Sequence, residues 1–284
     1  MRDDFCIFIL THGRPDNVAT YQTLSNCGYT GKTYLVVDDK DETLPEYVER
    51  YGQDKVLVFS KDEIAQKMDQ GDNFSKRSVV FARNASFDLA EQVGCEYFMQ
   101  LDDDYTSLHY KSTPEGHYTS RIPIRSLDEV LEKLIEFYQN TPTKTIAFAQ
   151  DGDFIGGENG KYGLAVQLTR KAMNSFLCST KRRFWFMGQL NDDVNTYTSL
   201  TRKGDLFFTY TMLSLLQRPT QTNAGGLTEL YLDAGTYVKS FYTIMYEPST
   251  CTVQPMVVTD RRLHHRLDWN AIEPKILNEK HKKL

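Results

Sequence analysis

The chain has 284 residues, with 33 Lys and Arg against 38 Asp and Glu, and a formal net charge of −5. Hydrophobic residues at 40% and charged residues at 25% exclude a disordered or collagen-like chain. No apolar run approaches the ~20 residues needed to cross a bilayer, and five cysteines without CxxC spacing argue against a disulfide framework or a zinc site.

Apolar runs alternate with helix-like segments in the first half, which is the pattern of a parallel sheet covered by helices. The sequence predicts strands at 5–10, 33–37, 56–59 and 97–101, and helices at 17–27, 46–51 and 79–93. The predicted fold class is therefore α/β, with an open sheet.

The second half is less regular. It predicts helices at 127–138, 170–177 and 194–203, strands at 145–149, 162–168 and 207–213, an extended stretch at 256–259, and a flexible Gly-rich loop at 221–228. Because no repeat or linker interrupts the chain, residues 1–284 are predicted to form one domain.

The charge is unevenly distributed along the chain. Residues 1–110 carry 11 basic and 20 acidic side chains, a net charge of −9, whereas residues 111–284 carry 22 and 18, a net charge of +4. The acidic total argues against a nucleic-acid partner, but the basic second half does not. The chain is therefore predicted to have two functional halves, an acidic one at 1–110 and a basic one at 111–284.

Polar clusters follow three of the predicted strands. Residues 11–15 (Thr-His-Gly-Arg-Pro) follow the first strand, Asp38 and Asp39 the second, and residues 102–104 (three Asp) the fourth. Ligands of open parallel sheets bind beyond the carboxyl ends of the strands, so these clusters predict one site. Adjacent carboxylates at a strand end are oxygen ligands suited to Mg²⁺ or Mn²⁺, although a solvated acidic turn is the alternative.

The other clusters allow two interpretations each. Asp38 or Asp39 can accept hydrogen bonds from a nucleobase or ribose, or can simply form a turn. Arg14 can approach a pyrophosphate, or can belong to a turn in which Pro15 begins a helix. Arg83 and Asn84 lie on the helix before the Asp triplet, where an exposed arginine is the alternative. There is no P-loop or dinucleotide motif in the sequence.

Together these features resemble the nucleotide-sugar half of GT-A glycosyltransferases over residues 5–105: T-x-G-R-P, a carboxylate pair, an Arg-Asn helix and a DxD strand. The resemblance implies a GT-A-like mixed sheet, a UDP-sugar donor, and a divalent metal, Mn²⁺ or Mg²⁺, between Asp104 and the diphosphate. It also implies metal or donor contacts from the matching positions, which are Thr11, Arg14, Asp38, Asp39, Arg83, Asn84, Asp102 and Asp103.

The second half offers candidates for the remaining parts of such a site. Asp193, or else Asp192, is predicted to remove the proton from an acceptor hydroxyl, while capping of the next helix is the alternative. The resemblance implies that His264 or His265 completes the metal shell, against the alternative of a surface pair. The loop at 221–228 is predicted to close over the donor.

A narrower resemblance concerns residues 191–194 (Asn-Asp-Asp-Val), 264–270 (His-His-Arg-Leu-Asp-Trp-Asn) and 274–276 (Pro-Lys-Ile). These are similar to the TET/JBP-associated glycosyltransferases, a phage and protist group. The resemblance implies that the acceptor is 5-hydroxymethylcytosine or 5-hydroxymethyluracil in double-stranded DNA. The sequence itself predicts neither a membrane nor an obligate protein partner. Its cysteine usage predicts a cytoplasmic location, in the host cell if a phage encodes the chain.

Clusters of cations and aromatics in the second half suit such an acceptor, because cations bind phosphates and aromatic rings stack on bases. A solvated basic surface is the alternative. The predicted DNA-binding residues are Lys181, Arg182, Arg183, Trp185, Arg261, Arg262 and Arg266.

The sequence thus predicts a metal-dependent glycosyltransferase that acts on hydroxymethylated DNA by direct displacement with inversion, although retention stays open. The alternatives are transfer to a saccharide, lipid or protein, a nucleotidyltransferase, and a non-catalytic DNA-binding module.

Overall fold

A computed structural model describes residues 1–68, 78–154, 166–217, 237–257 and 261–274. Its strands are β1 (Phe5–Leu10), β2 (Lys32–Asp38), β3 (Val56–Phe59), β4 (Tyr97–Asp102), β5 (Tyr105–Ser112), β6 (Tyr118–Pro123), β7 (Thr143–Gln150), β8 (Val166–Gln167), β9 (Ser175–Ser179), β10 (Leu206–Gln217), β11 (Cys251–Val257) and β12 (Arg261–Leu267). Its helices are α1 (Ala19–Asn26), α2 (Leu44–Tyr51), α3 (Lys61–Lys67), α4 (Val80–Gln92), α5 (Leu127–Gln139), α6 (Asp192–Thr201), α7 (Tyr237–Tyr246) and α8 (Trp269–Ile272).

One mixed sheet runs through both halves of the sequence. Its strand order is β3-β2-β1-β4-β9-β7-β10-β5-β6, with β8 paired to β10, and β11 and β12 form a separate antiparallel pair. Strands β1 to β4 are parallel to one another, whereas β9 runs antiparallel to β4 and to β7. The described part of the chain is therefore an α/β fold with an open mixed sheet, as predicted.

Strand β1 is buried on both faces, which explains its continuous apolar sequence. Phe5, Ile7 and Ile9 pack in one hydrophobic cluster with α1, α2 and α5, while the alternate residues of β1 pack in a second cluster with α3, α4 and α6. Successive side chains of a strand point to opposite faces, so a strand between two helical layers is apolar at every position.

The predicted helix at 170–177 is wrong, because β9 occupies its second part. Every residue of β9 is buried, and Phe176 and Leu177 enter the two opposite clusters. Asn174 takes a positive φ of 55° immediately before the strand. Pairing with β4 and β7 overrides the weak helical spacing of this short segment.

Other segments differ from the prediction or lie outside the described residues. The sequence does not predict strands β5, β6 and β12 or helices α3, α7 and α8. Of the predicted strand at 162–168, the structure describes β8 and the residue after it, and of the stretch at 256–259 it describes the last two residues of β11. The predicted loop at 221–228 lies outside the described residues. Among the described helices, none combines the length and the apolar character required to cross a membrane.

The strand register brings the predicted polar clusters to one edge of the sheet. Leu10 lies opposite both Val36 and Asp102, and Asp38 lies opposite Phe59. We call this the carboxyl edge, since the parallel strands end there, and the opposite one the amino edge. Because β9 is antiparallel to β4, Ser175 lies near the carboxyl edge and Ser179, opposite Tyr97, at the amino edge.

Arg182 holds the connection between α5 and β7 at the amino edge. Its Nη1 donates hydrogen bonds to the carbonyl oxygens of Tyr138, Thr141 and Thr143, at 2.9, 2.6 and 3.1 Å. Its guanidinium also lies 4.5 Å from the centre of the Tyr138 ring. These contacts close the end of α5, whose last carbonyl groups have no partner within the helix.

We expect Arg182→Ala to lower the free energy of unfolding by about 2 kcal/mol, because charge-assisted hydrogen bonds to three carbonyl groups are lost. Denaturant unfolding measures this change. Lys181→Ala is the matched control: Lys181 pairs with Glu96 but is exposed, and its loss is expected to leave the free energy of unfolding nearly unchanged. Equal effects of the two substitutions would contradict the structural role of Arg182.

Candidate active site at the carboxyl edge

Asp103 is a structural residue of the carboxyl edge. It is 3% exposed, accepts a hydrogen bond from Thr11 Oγ1 at 2.7 Å, and lies 3.3 Å from Arg14 Nη1. Tyr47 Oη, which the sequence analysis did not identify, lies 2.8 Å from Thr11 Oγ1 and accepts from the Arg14 backbone N–H at 2.9 Å. Thr11, Arg14 and Asp103 therefore meet as predicted, and they fix the β1–α1 turn against the Asp triplet.

The two carboxylates after β2 have different environments. Asp38 is 4% exposed and binds Lys61 Nζ at 2.9 Å and His12 Nδ1 at 2.8 Å. Burial raises the pKa of Asp38, but the hydrogen bonds from His12 and Lys61 outweigh it and hold this pKa below its ordinary value. Asp39 is about one-third exposed and accepts the Lys61 backbone N–H. Asp39 is thus the more accessible of the two carboxylates.

Arg83 joins the two halves of the site. Its guanidinium is buried between the rings of Phe176 and Phe186, at 4.8 and 5.6 Å from their centres. Nη2 lies 3.5 Å from Asp102 Oδ1 and Nε lies 3.1 Å from Asp192 Oδ2. The alternative of an exposed arginine is therefore wrong, and the side chain links the Asp triplet to the start of α6.

Asn84 faces away from this site. Its side chain is 1% exposed and makes two hydrogen bonds with the backbone of Phe186, donating to the carbonyl at 3.1 Å and accepting from the N–H at 2.8 Å. The structure thus places Asn84 in the core, where it positions the Phe186 segment. It does not place Asn84 with the predicted donor-binding residues.

The carboxylates of the Asp triplet carry excess negative charge. Burial raises the pKa of Asp102 to about 7; Arg83 opposes this shift, and the charges of Asp104, Asp103 and Asp192 add to it. Asp104 Oδ2 accepts a hydrogen bond from Gln217 Nε2 at 3.1 Å. A divalent cation would offset this repulsion, so Asp102 and Asp104 fit a metal that also binds phosphate oxygens and water. Within the described residues, no three His, Cys, Asp or Glu side chains gather around one metal position.

The two carboxylates at the start of α6 also differ. Asp192 is 6% exposed and is held by Arg83, and burial raises its pKa. Asp193 is only partly buried, and its Oδ1 accepts the Val194 backbone N–H at 2.8 Å. Asp193 therefore helps to satisfy the helix terminus, as the capping alternative predicts, and is the more accessible of the two carboxylates.

The predicted role of the two histidines as metal ligands finds no geometric support. His265 is 4% exposed, and its Nε2 lies 2.7 Å from Lys171 Nζ, which occupies the position that a metal would need. His264 is partly exposed and its ring packs against that of His265, with the centres 4.3 Å apart. Lys171 had no role in the sequence analysis, because nothing in its local sequence marks it.

The structure separates most of the predicted DNA-binding residues from the site. Lys181, Arg182 and Arg183 lie at the amino edge, where Lys181 pairs with Glu96 and Arg183 pairs with Asp88 and Glu91. Trp185 packs partly buried against the second hydrophobic cluster. Arg261, Arg262 and Arg266 belong to β12, where Arg266 is exposed. The 181–183 cluster is not part of the carboxyl edge, because the reversed direction of β9 carries it away.

Comparison with solved structures gives remote matches. Glucosyl-3-phosphoglycerate synthase from Mycobacterium tuberculosis, in complex with Mn²⁺, UDP and phosphoglyceric acid, matches at a TM-score of 0.49 and 10% identity, over 96% of this chain and 89% of that chain. A mannosyltransferase from Pyrobaculum calidifontis, with GDP-Man and Mn²⁺, matches at 0.47 and 13%, over 78% and 59%. S. aureus TarS matches at 0.45 and 10%, over 86% and 66%. No curated protein matches the chain in sequence.

Comparison with family sequence models gives a match over most of the chain. The model described as TET-Associated Glycosyltransferase covers residues 5–226, which include the Asp triplet, Arg83 and the start of α6. The resemblance inferred from the sequence motifs is thereby confirmed. The chain belongs to the TET-associated glycosyltransferase family and is a glycosyltransferase.

Proposed function

We propose that the chain transfers a sugar from a UDP-sugar to the hydroxyl group of a hydroxymethylated base, 5-hydroxymethylcytosine or 5-hydroxymethyluracil, in double-stranded DNA. The family supports the reaction class and a DNA-base acceptor. The observation that carries the proposal is the pair of contacts that Arg83 makes with Asp102 and Asp192. These contacts hold the predicted donor carboxylate, Asp102, and the acceptor-side carboxylate, Asp192, within one site.

The donor lies along the carboxyl edge in this proposal. Asp39 accepts hydrogen bonds from the nucleoside, and Arg14 stands near the diphosphate. Asp102 and Asp104 would hold a Mn²⁺ or Mg²⁺ ion, which when bound would offset the charge on the departing UDP. Thr11, Asp38 and Asp103 act indirectly, because their polar groups bind other side chains of the edge.

Asp193 is the general base. The acceptor hydroxyl gives its proton to this carboxylate as its oxygen attacks the anomeric carbon, and the bond between that carbon and the UDP oxygen breaks. The product is an O-glycoside with inverted configuration, and the electron pair of the broken bond leaves with UDP. Asp192 is the less suited base, since Arg83 already holds it.

Incubation with a labelled UDP-sugar and Mn²⁺ tests the proposal, using duplexes that contain hydroxymethylated or ordinary bases. We expect label in the hydroxymethylated duplex alone, and a loss of at least about 100-fold in Asp104→Asn, because the metal site loses a charged ligand. Asp88→Asn, a carboxylate that pairs with Arg183 at the amino edge, is the matched control and keeps full activity.

Three results would contradict this proposal. Transfer to a glycan, lipid or protein but to neither duplex would reassign the acceptor. DNA binding without sugar transfer from any UDP-sugar would indicate a binding module. Full activity in Asp104→Asn would remove the metal from the Asp triplet.

A second prediction separates the two carboxylates of α6. Asp193→Asn should lower kcat by about 10²- to 10⁴-fold with little change in folding stability, since a positioned base is lost. Asp192→Asn should instead destabilise the fold by about 3 kcal/mol, because Arg83 is left buried with one carboxylate fewer. Single-turnover kinetics and thermal unfolding measure the two effects. The reverse pattern would make Asp192 the base.

A further inference from the structure

Lys171 is a cation on the acceptor side of the site that neither the mechanism nor the predicted motifs use. It lies in the segment that leads into β9 at the carboxyl edge. Three residues later, Asn174 Oδ1 accepts a hydrogen bond from Arg83 Nη2 at 3.4 Å. The Lys171 backbone carbonyl accepts a hydrogen bond from Thr209 Oγ1 at 3.1 Å. Its position is therefore fixed from both the Arg83 side and β10.

A buried polar cluster holds the Lys171 side chain beside α6. Nζ lies 2.7 Å from His265 Nε2, and His265 Nδ1 lies 3.4 Å from Asn191 Nδ2. Asn191 is in turn tied to α7, because its Nδ2 donates to the Lys239 carbonyl at 2.7 Å and to Thr243 Oγ1 at 3.2 Å. Because Asn191 directly precedes Asp192 and Asp193, the cluster lies at the start of α6, and the charge of Asp193 acts on the ammonium.

Among the described residues, cations surround Lys171 more closely than carboxylates do. Arg170 and Lys239 are its cationic neighbours, and Arg170 is already paired with Asp153. Within the described residues, no carboxylate lies within ion-pair distance of Lys171 Nζ, and Asp193 is the carboxylate that acts most strongly on its pKa. Burial and the two cations lower the pKa of Lys171 to about 8, against the opposing effect of Asp193. A bound anion would stabilise this ammonium.

The reaction geometry indicates which anion this is. In a direct displacement the attacking hydroxyl and its base lie on the side of the anomeric carbon opposite to the leaving diphosphate. A cation beside Asp193 therefore faces the acceptor. We propose that Lys171, with Lys239 beside it and His265 supporting it, binds a phosphodiester of the acceptor strand next to the nucleotide that receives the sugar. This proposal rests on the proposed DNA acceptor.

Lys171→Gln tests this subsite through the KM for hydroxymethylated duplex and its salt dependence. We expect that KM to rise about tenfold and the slope of log KM against log salt to fall by about 1, which is the effect of losing one phosphate contact. The KM for the UDP-sugar and the kcat should stay within about twofold of the wild-type values. Lys171→Arg should retain most of the affinity for DNA.

Lys133→Gln, which removes an exposed lysine of α5, is the matched control and should change neither KM nor the salt slope.

If the wild-type chain labels no DNA, the proposed function fails and the subsite falls with it. If the wild type labels DNA but Lys171→Gln leaves the KM for DNA and its salt slope unchanged, the subsite alone is wrong. A rise in the KM for the UDP-sugar instead would assign Lys171 to the donor diphosphate. A fall in thermal stability with an unchanged salt slope would make its role purely structural.

Discussion

The site depends on one buried cation, Arg83. A guanidinium removed from water costs several kcal/mol unless carboxylates and aromatic faces replace its hydration. Asp102 and Asp192 supply the charges, and Phe176 and Phe186 supply the faces. These partners come from β4, α6, β9 and the segment before α6, so the cost of burying Arg83 is offset only when the two halves of the chain are assembled. The same contacts that stabilise the fold thus place Asp102 and Asp192 together.

The uneven charge of the sequence has a structural explanation at both edges of the sheet. At the amino edge, Lys181 and Arg183 of the basic half pair with Glu96, Asp88 and Glu91 of the acidic half. These ion pairs therefore join the two halves of the chain, and part of the charge difference between the halves is used within the protein. In the proposal, a bound metal ion balances the charge of the Asp triplet at the carboxyl edge, and a phosphate of the acceptor balances Lys171. The residual charges lie where the substrates are proposed to bind.

The sequence predicted the parallel strands, because β1, β2 and β4 are continuous apolar runs. It also predicted where their polar ends meet, because strands that run in the same direction end at the same edge of the sheet. It did not predict β9, whose burial between β4 and β7 is a tertiary effect, and so it misplaced the 181–183 cluster. Lys61 and His12 bind Asp38, and Lys171 contacts His265. Each of these contacts joins residues that are far apart in the sequence. No local pattern reports such contacts.

Arg83 is proposed to hold a metal-binding donor site and an acceptor-side base in one geometry. A crystal structure of the chain with Mn²⁺ and a non-hydrolysable UDP-sugar measures that geometry directly. We expect metal density between Asp102, Asp104 and the diphosphate, with Asp193 on the opposite side of the anomeric carbon and Arg83 still bridging Asp102 and Asp192. A sugar nucleotide bound away from the carboxyl edge, or Asp193 on the same side as the diphosphate, would contradict it.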